Sequence, residues 1–547
     1  MARSRREALM LGLASAGGLA GAAQAAPRKA AAPPQKAPAW RPGVEGQRRA
    51  DLGDGLYRNP VLSGDRPDPN ILKDGDDYYA VFSSFLYYPG VVVWRSRDLV
   101  SWTPVGPALT KPLGSIWALD IAKHDGRYFI YIPVFVAPRP GVRLTSLPFK
   151  IYVVHADSMG GPWSEPVDMD IDGHIDPGHA VGEDGKRYLF LNDGRRVRIT
   201  DDGLKRDGTV SKVYDGWKIP DDWVIEAFAP EGPKLLRHGG WFYLFSGQGG
   251  TAGPPTSHMV VVARARSIHG PWENCPHNPI VHTVSRDEPW WSRGHATPVQ
   301  GPAGDWWFAY HGYENGFRTL GRQMLLEPFA WTDDGWPRAL GGDLSHSLPK
   351  PRGAPEGPHG LALSGAFHQD QFGARLAFYA PGEGYLDRVR LQEGGLILKG
   401  QGAGPADSSP LAFIAGDRAY EVTVDVEIQG AGQGGLLLFY NDKLFCGLGT
   451  HADTLHTYKS GTEQTYPPPG PGEGRRVSLR VVNDENVASF FIRAEGGAWR
   501  KVVSYEVAGY NHNMADGFMS LRPAIFASGD GAVVFRSLSY RALGAAT

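Results

Sequence analysis

Three acidic residues stand in one local setting. Asp68 lies in GDRPDPNI, Asp176 in HIDPGHAV and Glu231 in FAPEGPKLL, each beside Pro or Gly at the entrance to an apolar run. Pro67 and Pro69 fix the backbone around Asp68 and remove local donors, so its carboxylate is held rigidly. A lone Asp next to Pro most often caps a turn. Glu has no such turn role, so Glu231, followed by Gly232 and Pro233, is the most informative of the three. Carboxyl groups brought to one pocket can carry acid–base chemistry. The question is whether the chain brings them together.

A loose repeat answers it. A Gly-containing turn, an aromatic-rich strand, a loop and a second strand recur in KDGDDYYAVFSS to VVVWRSRDLVSW, KHDGRYFIYIPV to IYVVHADSMGGPW, GEDGKRYLFLND to VRITDDGL, LRHGGWFYLFSG to MVVVARARSIHGPW, and GPAGDWWFAYHG to MLLEPFAWTDDGW. A three- or four-stranded sheet of this kind cannot bury both faces alone, whereas five stacked around an axis can. The pattern predicts an all-β chain with a five-bladed β-propeller, a sandwich with long loops being the alternative. The acids then fall ahead of blades one, three and four, where inner strands meet a central pocket. Beyond residue 360, evenly spaced alternating runs (LAFIAG, YEVTVDVEI, GGLLLFY, RRVSLRVVN, ASFFIRAE, KVVSYEV, AVVFRSLSY) predict a concanavalin-like β-sandwich over 361–547.

The expected organisation is an export signal over 1–26, a Pro/Ala-rich spacer over 27–48, the propeller over 49–347, a join at 348–360 (LPKPRGAPEGPHG) and the sandwich. Arg3, Arg5 and Arg6, a short apolar run and Ala23-Gln24-Ala25 read as a cleavable leader, and Ser4-Arg5-Arg6 resembles the twin-arginine type, so the expected location is periplasmic or secreted. No stretch is apolar enough for a membrane helix. Charge is balanced, 56 basic against 58 acidic residues, leaving no electrostatic footprint for nucleic acid. With 72 Gly and 44 Pro among 547 residues, tight turns are frequent, which agrees with the all-β reading. The two cysteines, Cys275 and Cys446, form no metal motif and are expected to be buried thiols. His174, His179 and His258 lie near motif positions without metal-ligand spacing, and no metal site is expected from the residues themselves.

The motifs NPVLSGDRPDPNIL, SRDLVSW, SIWALD, HIDP, PEGPKLL, SIHGPW and RGHATPV, in this order over about residues 58–345, resemble glycoside hydrolase family 43, the β-xylosidases and α-L-arabinofuranosidases. The resemblance implies Asp68 as general base, Asp176 as pKa modulator and Glu231 as general acid of an inverting hydrolysis. A glycosidic oxygen must be protonated to leave, and water must be activated on the opposite ring face, so one carboxyl starts neutral and another ionised. It further implies sugar contacts for Phe85, Trp117, Asp120, His295 and Arg322, although Leu119 stands where the family usually has proline. No organic cofactor is implied, and the family admits a calcium ion on the axis. The expected partner is a xylan or arabinan fragment, with exo action releasing terminal β-D-xylose or α-L-arabinofuranose. An endo-arabinanase or galactan-cleaving relative, or a non-catalytic sugar-binding propeller, are the rival readings. No aromatic around GFMSLRPAIF is matched to a closing residue of the pocket.

Overall fold

Aromatic and β-branched residues alternating with turn-formers give strands throughout the computed structural model, which describes residues 40–136, 148–353, 356–392, 395–466 and 470–544. Among these residues, five antiparallel sheets of four to five strands follow one another as blades. Their first strands are Asn70–Asp74, Asp120–His124, Gly178–Val181, Glu231–His238 and Trp290–Gln300. These five neighbour each other around the ring, blade five returning to blade one. The five-bladed propeller expected from the repeat is the observed architecture.

Closure depends on the segment before blade one. Val61 donates its N–H to Met324 O (3.0 Å), and Arg66 donates to Arg322 O (2.8 Å). The chain therefore runs along blade five before turning inward at Asp68. The strand Leu348–Pro349 pairs with Leu56–Tyr57, so the two ends of the propeller are zipped together. The join at 348–360 is correspondingly anchored: Lys350 Nζ bonds Asp51 (2.5 Å), and the half-buried His359 accepts from Trp102 N (3.2 Å). Residues 40–48, expected as spacer, also pack onto the body. Arg48 reaches Glu314 at 2.9 Å, and its side chain is only 9% exposed. The expected export signal and most of the expected spacer lie outside the described residues.

The C-terminal region is a β-sandwich that departs from the expected strand list in one respect. YEVTVDVEI and GGLLLFY are not separate strands but parts of one 23-residue strand, Ala419–Asn441. It pairs along most of its length with Arg522–Ala542. Glycines at the middle of each, including Gly430 (φ +65°) and Gly529 (φ +77°), accept a backbone bend that side-chain-bearing residues resist. The sandwich is welded to the propeller. Tyr87–Tyr88 of blade one pairs with Ala377–Tyr379. One hydrophobic core runs from Val81, Ile116 and Ile130 of blades one and two to Phe378, Leu436 and Phe526. Cys275 and Cys446 are both buried and free.

Candidate active site

The inner strands open into a small pocket lined by Asp68, Phe85, Trp117, Ala118, Ile175, Asp176, Glu231, Thr251, His295, Arg322 and Phe518. All three acids are here, with four of the five expected sugar contacts. Five lining residues, Asp68, Phe85, Asp176, His295 and Phe518, have left-handed backbones with φ between 49° and 61°. None is glycine. Non-glycine residues held in that region cluster where the surrounding structure imposes side-chain aim.

Asp68 is 5% exposed and surrounded by donors and cations. Ser83 Oγ donates to Oδ2 (2.5 Å), Arg322 Nη1 donates to Oδ1 (2.9 Å), and His295 Nδ1 stands 3.6 Å from Oδ1. The Asp68 N–H points to His311 Nδ1 (3.0 Å), the same nitrogen that stands 3.1 Å from Oδ1, and His311 Nε2 lies 3.1 Å from Thr251 Oγ1. Burial pushes the Asp68 carboxyl up, but Arg322, His295 and His311 together outweigh it and hold the carboxyl well below the usual range. It is ionised at neutral pH.

The opposite wall has the reverse character. Asp176, 4% exposed, accepts the Gly232 N–H at 3.0 Å. Gly232 has φ +55°, and a Cβ there would lie 2.7 Å from the His295 ring, so both conformation and space require glycine. Burial, then the Asp68 charge, push Asp176 up to about 8. Burial, then Asp176 and Asp68, push Glu231 well above the ordinary Glu value. Two carboxyls side by side hold protons that water would remove. Glu231 is also the more open group, its side chain 22% exposed toward the pocket. His258 stands behind it: Nδ1 donates to Gln248 O (3.2 Å), so Nε2, which has no hydrogen-bond partner, presents a lone pair 3.5 Å from Glu231 Oε1. Burial holds this imidazole neutral.

Phe85 is fixed by reciprocal backbone bonds with Ile116 (2.9 Å each) between blades one and two. Trp117 meets Phe149 edge-on (5.0 Å) and Phe518 edge-on (5.5 Å). Asp120 departs from expectation. It does not line the pocket. Its Oδ1 takes Asn70 Nδ2 (2.9 Å) and Lys234 Nζ, while Oδ2 takes the His179 N–H (2.8 Å). These bonds tie blades one, three and four to blade two, and they give Asp120 a scaffold role. Of the histidines without ligand spacing, His258 alone adjoins the acids. Trp290, Trp291, Trp306 and Trp307 lie off the pocket.

Phe518, from the turn before the last long strand of the sandwich, was not expected. Its ring stacks on His512 (3.9 Å) and lies 5.4 Å from the Arg322 guanidinium, closing one side of the pocket. Nothing local in GFMSL announces this. Among the described residues, the cluster of possible metal ligands is Glu231, His258 and His295. Two imidazoles and one carboxyl do not fit calcium, which takes six to eight oxygens.

A five-bladed propeller with an ionised carboxylate facing a protonated one defines an acid–base centre in a glycosidase-type fold. The chain belongs to glycosyl hydrolases family 43, whose sequence model matches residues 57–337. It is 32% identical over 302 residues to the non-reducing end α-L-arabinofuranosidase BoGH43B of Bacteroides ovatus, covering 52% of this chain and 54% of that one. It is 33% identical over 319 residues to a xylan 1,3-β-xylosidase of a Vibrio species, covering 51% and 56%. The matched part thus spans about half the length of these curated relatives. The solved structure of the family-43 protein BlXynB of Bacillus licheniformis superposes with TM-score 0.79 at 26% identity, covering 89% of this chain and all of that one. That of xylan β-1,4-xylosidase from Bacillus halodurans gives 0.77 at 25%, covering 88% and 99%.

Proposed function

We propose that the protein is an exo-acting, inverting glycoside hydrolase that releases terminal β-D-xylose or α-L-arabinofuranose from hemicellulose oligosaccharides. The observation that carries the reading is the opposed protonation of Asp68 and Glu231 across one pocket. Asp68, ionised, takes a proton from the attacking water. Glu231, protonated, delivers its proton to the leaving glycosidic oxygen as the bond breaks. Asp176 keeps that proton on Glu231 until it is needed, and His258 offers its lone pair from behind. Arg322 serves twice, holding Asp68 ionised and presenting guanidinium N–H groups to the sugar. Phe85, Trp117 and Phe518 give apolar faces to the ring. The wall built by Phe518 favours a chain end over a through-going chain, which supports exo action. The basic, Ala-rich first 26 residues support export, and no helix among the described residues is long and apolar enough to cross a membrane.

The test is hydrolysis of paired nitrophenyl β-D-xyloside and α-L-arabinofuranoside, with proton NMR of the first product and chain-length profiling on xylo-oligosaccharides. Inverted monosaccharide from the chain end is expected. A folded protein that cleaves neither substrate, or a first product of retained configuration, would overturn the reading.

A further inference from the structure

Away from the pocket, where the N-terminal segment, blade one and the sandwich meet, a cavity of about 70 Å³ is lined by Arg66, Arg375, Trp94, Gln47, Ala374 and Arg522 among others. Four guanidinium groups, counting Arg48, converge on it. Two of them are matched. Arg48 is paired with Glu314 (2.9 Å) and Arg522 with Asp65 (2.9 Å).

The other two are not. Arg375 is 4% exposed; it spends Nη1 on Ser364 O (3.1 Å), while Nε and Nη2 have no acceptor. Arg66 is 9% exposed; it spends Nη1 on Asp65 O (2.8 Å), lies 4.8 Å over Trp94, and leaves Nε without an acceptor. Two carboxylates stand nearby without bonding those nitrogens: Asp65 gives Oδ2 to Arg522 and leaves a buried Oδ1 without a hydrogen-bond partner, and Glu45 accepts the N–H groups of Leu363 and Ser364 (2.8 Å each). Buried charges are ordinarily paired. Burial and then Arg522 push Arg66 down to about 9 against the opposing charge of Asp65, and burial pushes Arg375 down to about 10 against that of Glu45, so the counter-charge at hand does not offset the burial.

We propose that this cavity binds a small oxoanion, such as inorganic phosphate or sulphate, between Arg66 and Arg375. Guanidinium N–H groups match oxoanion geometry, and such a charge would satisfy donors that no protein atom reaches. The ligand would bind where the three regions join, so its effect is on stability and not on the reaction.

The test follows thermal unfolding of the full chain in chloride-only buffer and with added phosphate, sulphate or acetate at constant ionic strength. A saturable rise in Tm of roughly 3–5 °C is expected for at least one oxoanion, as binding to the folded state alone requires, and the three arms tell which. General salting effects rise without saturating. In Arg375→Met the saturable rise should vanish, while in chloride the variant should be no less stable than wild type, having lost an unpaired buried cation. Should that variant fail to fold, calorimetric titration of wild type with phosphate, sulphate and acetate still decides. No saturable response to any oxoanion, or a response unchanged in Arg375→Met, overturns the proposal, as does an equal loss of stability in Arg375→Met with and without oxoanion.

Discussion

Two walls of one pocket are buried to the same degree and end in opposite charge states. Asp68 and Asp176 are 5% and 4% exposed, both left-handed, both at the entrance to an inner strand. Burial alone would make both neutral. Asp68 escapes because Arg322, His295 and His311 face it. Asp176 does not, because the Asp68 charge adds to burial, and the Gly232 N–H and the Arg322 charge offset this only in part. In a desolvated site the neighbours, more than the residue type, decide which carboxyl is base and which is acid. Asp120 extends the comparison. It is as buried as either, yet it bonds Lys234, Asn70 and a backbone N–H, and it serves the scaffold.

The strongest way to break this contrast is to neutralise the ionised wall. Asp68→Asn keeps the shape and removes the base, and kcat should fall by roughly 10²- to 10⁴-fold. Retention of half the activity would make Asp68 a turn residue. Asp120→Ala should act on the other property. It leaves Lys234 without its counter-charge, and the expected cost is about 3–5 kcal/mol of stability by denaturant unfolding. The pH limbs of the surviving folded enzyme should stay in place. If those limbs move with stability intact, Asp120 belongs to the site after all.

A gentler perturbation sharpens the electrostatics. Arg322→Gln removes the cation bonded to Asp68, so the Asp68 pKa must rise toward the value burial favours. Activity needs Asp68 ionised and is lost as pH falls through its pKa. The acid limb of kcat/KM should therefore move to higher pH, along with a rise in KM from the lost sugar contact. A KM effect with an unmoved acid limb would leave Arg322 as a binding group only.

Much of this was readable from the chain. The five repeats, spaced with Gly turns and aromatic strands, forecast the propeller, and the acids in phase with them forecast one pocket holding Asp68, Asp176 and Glu231. Phe85, Trp117, His295 and Arg322 also reach it. What could not be read depends on contacts between distant segments. Phe518 closes the pocket from a turn whose docking relies on Leu521 donating to Thr319 O (2.8 Å), a bond with no local sequence signal. His258, just before the apolar strand Met259–Ala265, and His311, within Trp306–Glu314, look like core residues until Glu231 and Asp68 are placed beside them. Asp120 likewise stands at the start of an inner strand, though without an adjoining Pro or Gly, and only Lys234, arriving from blade four, shows its part in the scaffold. The glycines in the middle of the strand Ala419–Asn441 resemble a turn in sequence, so its continuity shows only in its pairing with Arg522–Ala542.

The central claim is that the acidic wall keeps the proton on Glu231, and the pH dependence of Asp176→Asn tests it most directly. In wild type Asp176 and Glu231 titrate as a pair, and the alkaline limb of kcat/KM reports the loss of their proton from the free enzyme. Once Asp176 ionises it is a negative neighbour of Glu231; in Asp176→Asn that charge never forms, so Glu231 should release its proton more readily. The account predicts an alkaline limb displaced to lower pH by roughly one unit or more, the acid limb nearly unchanged, and a smaller rate loss on a nitrophenyl glycoside than on a natural disaccharide that needs full protonation. An alkaline limb that stays where it is in wild type, measured on the same substrate, would contradict it.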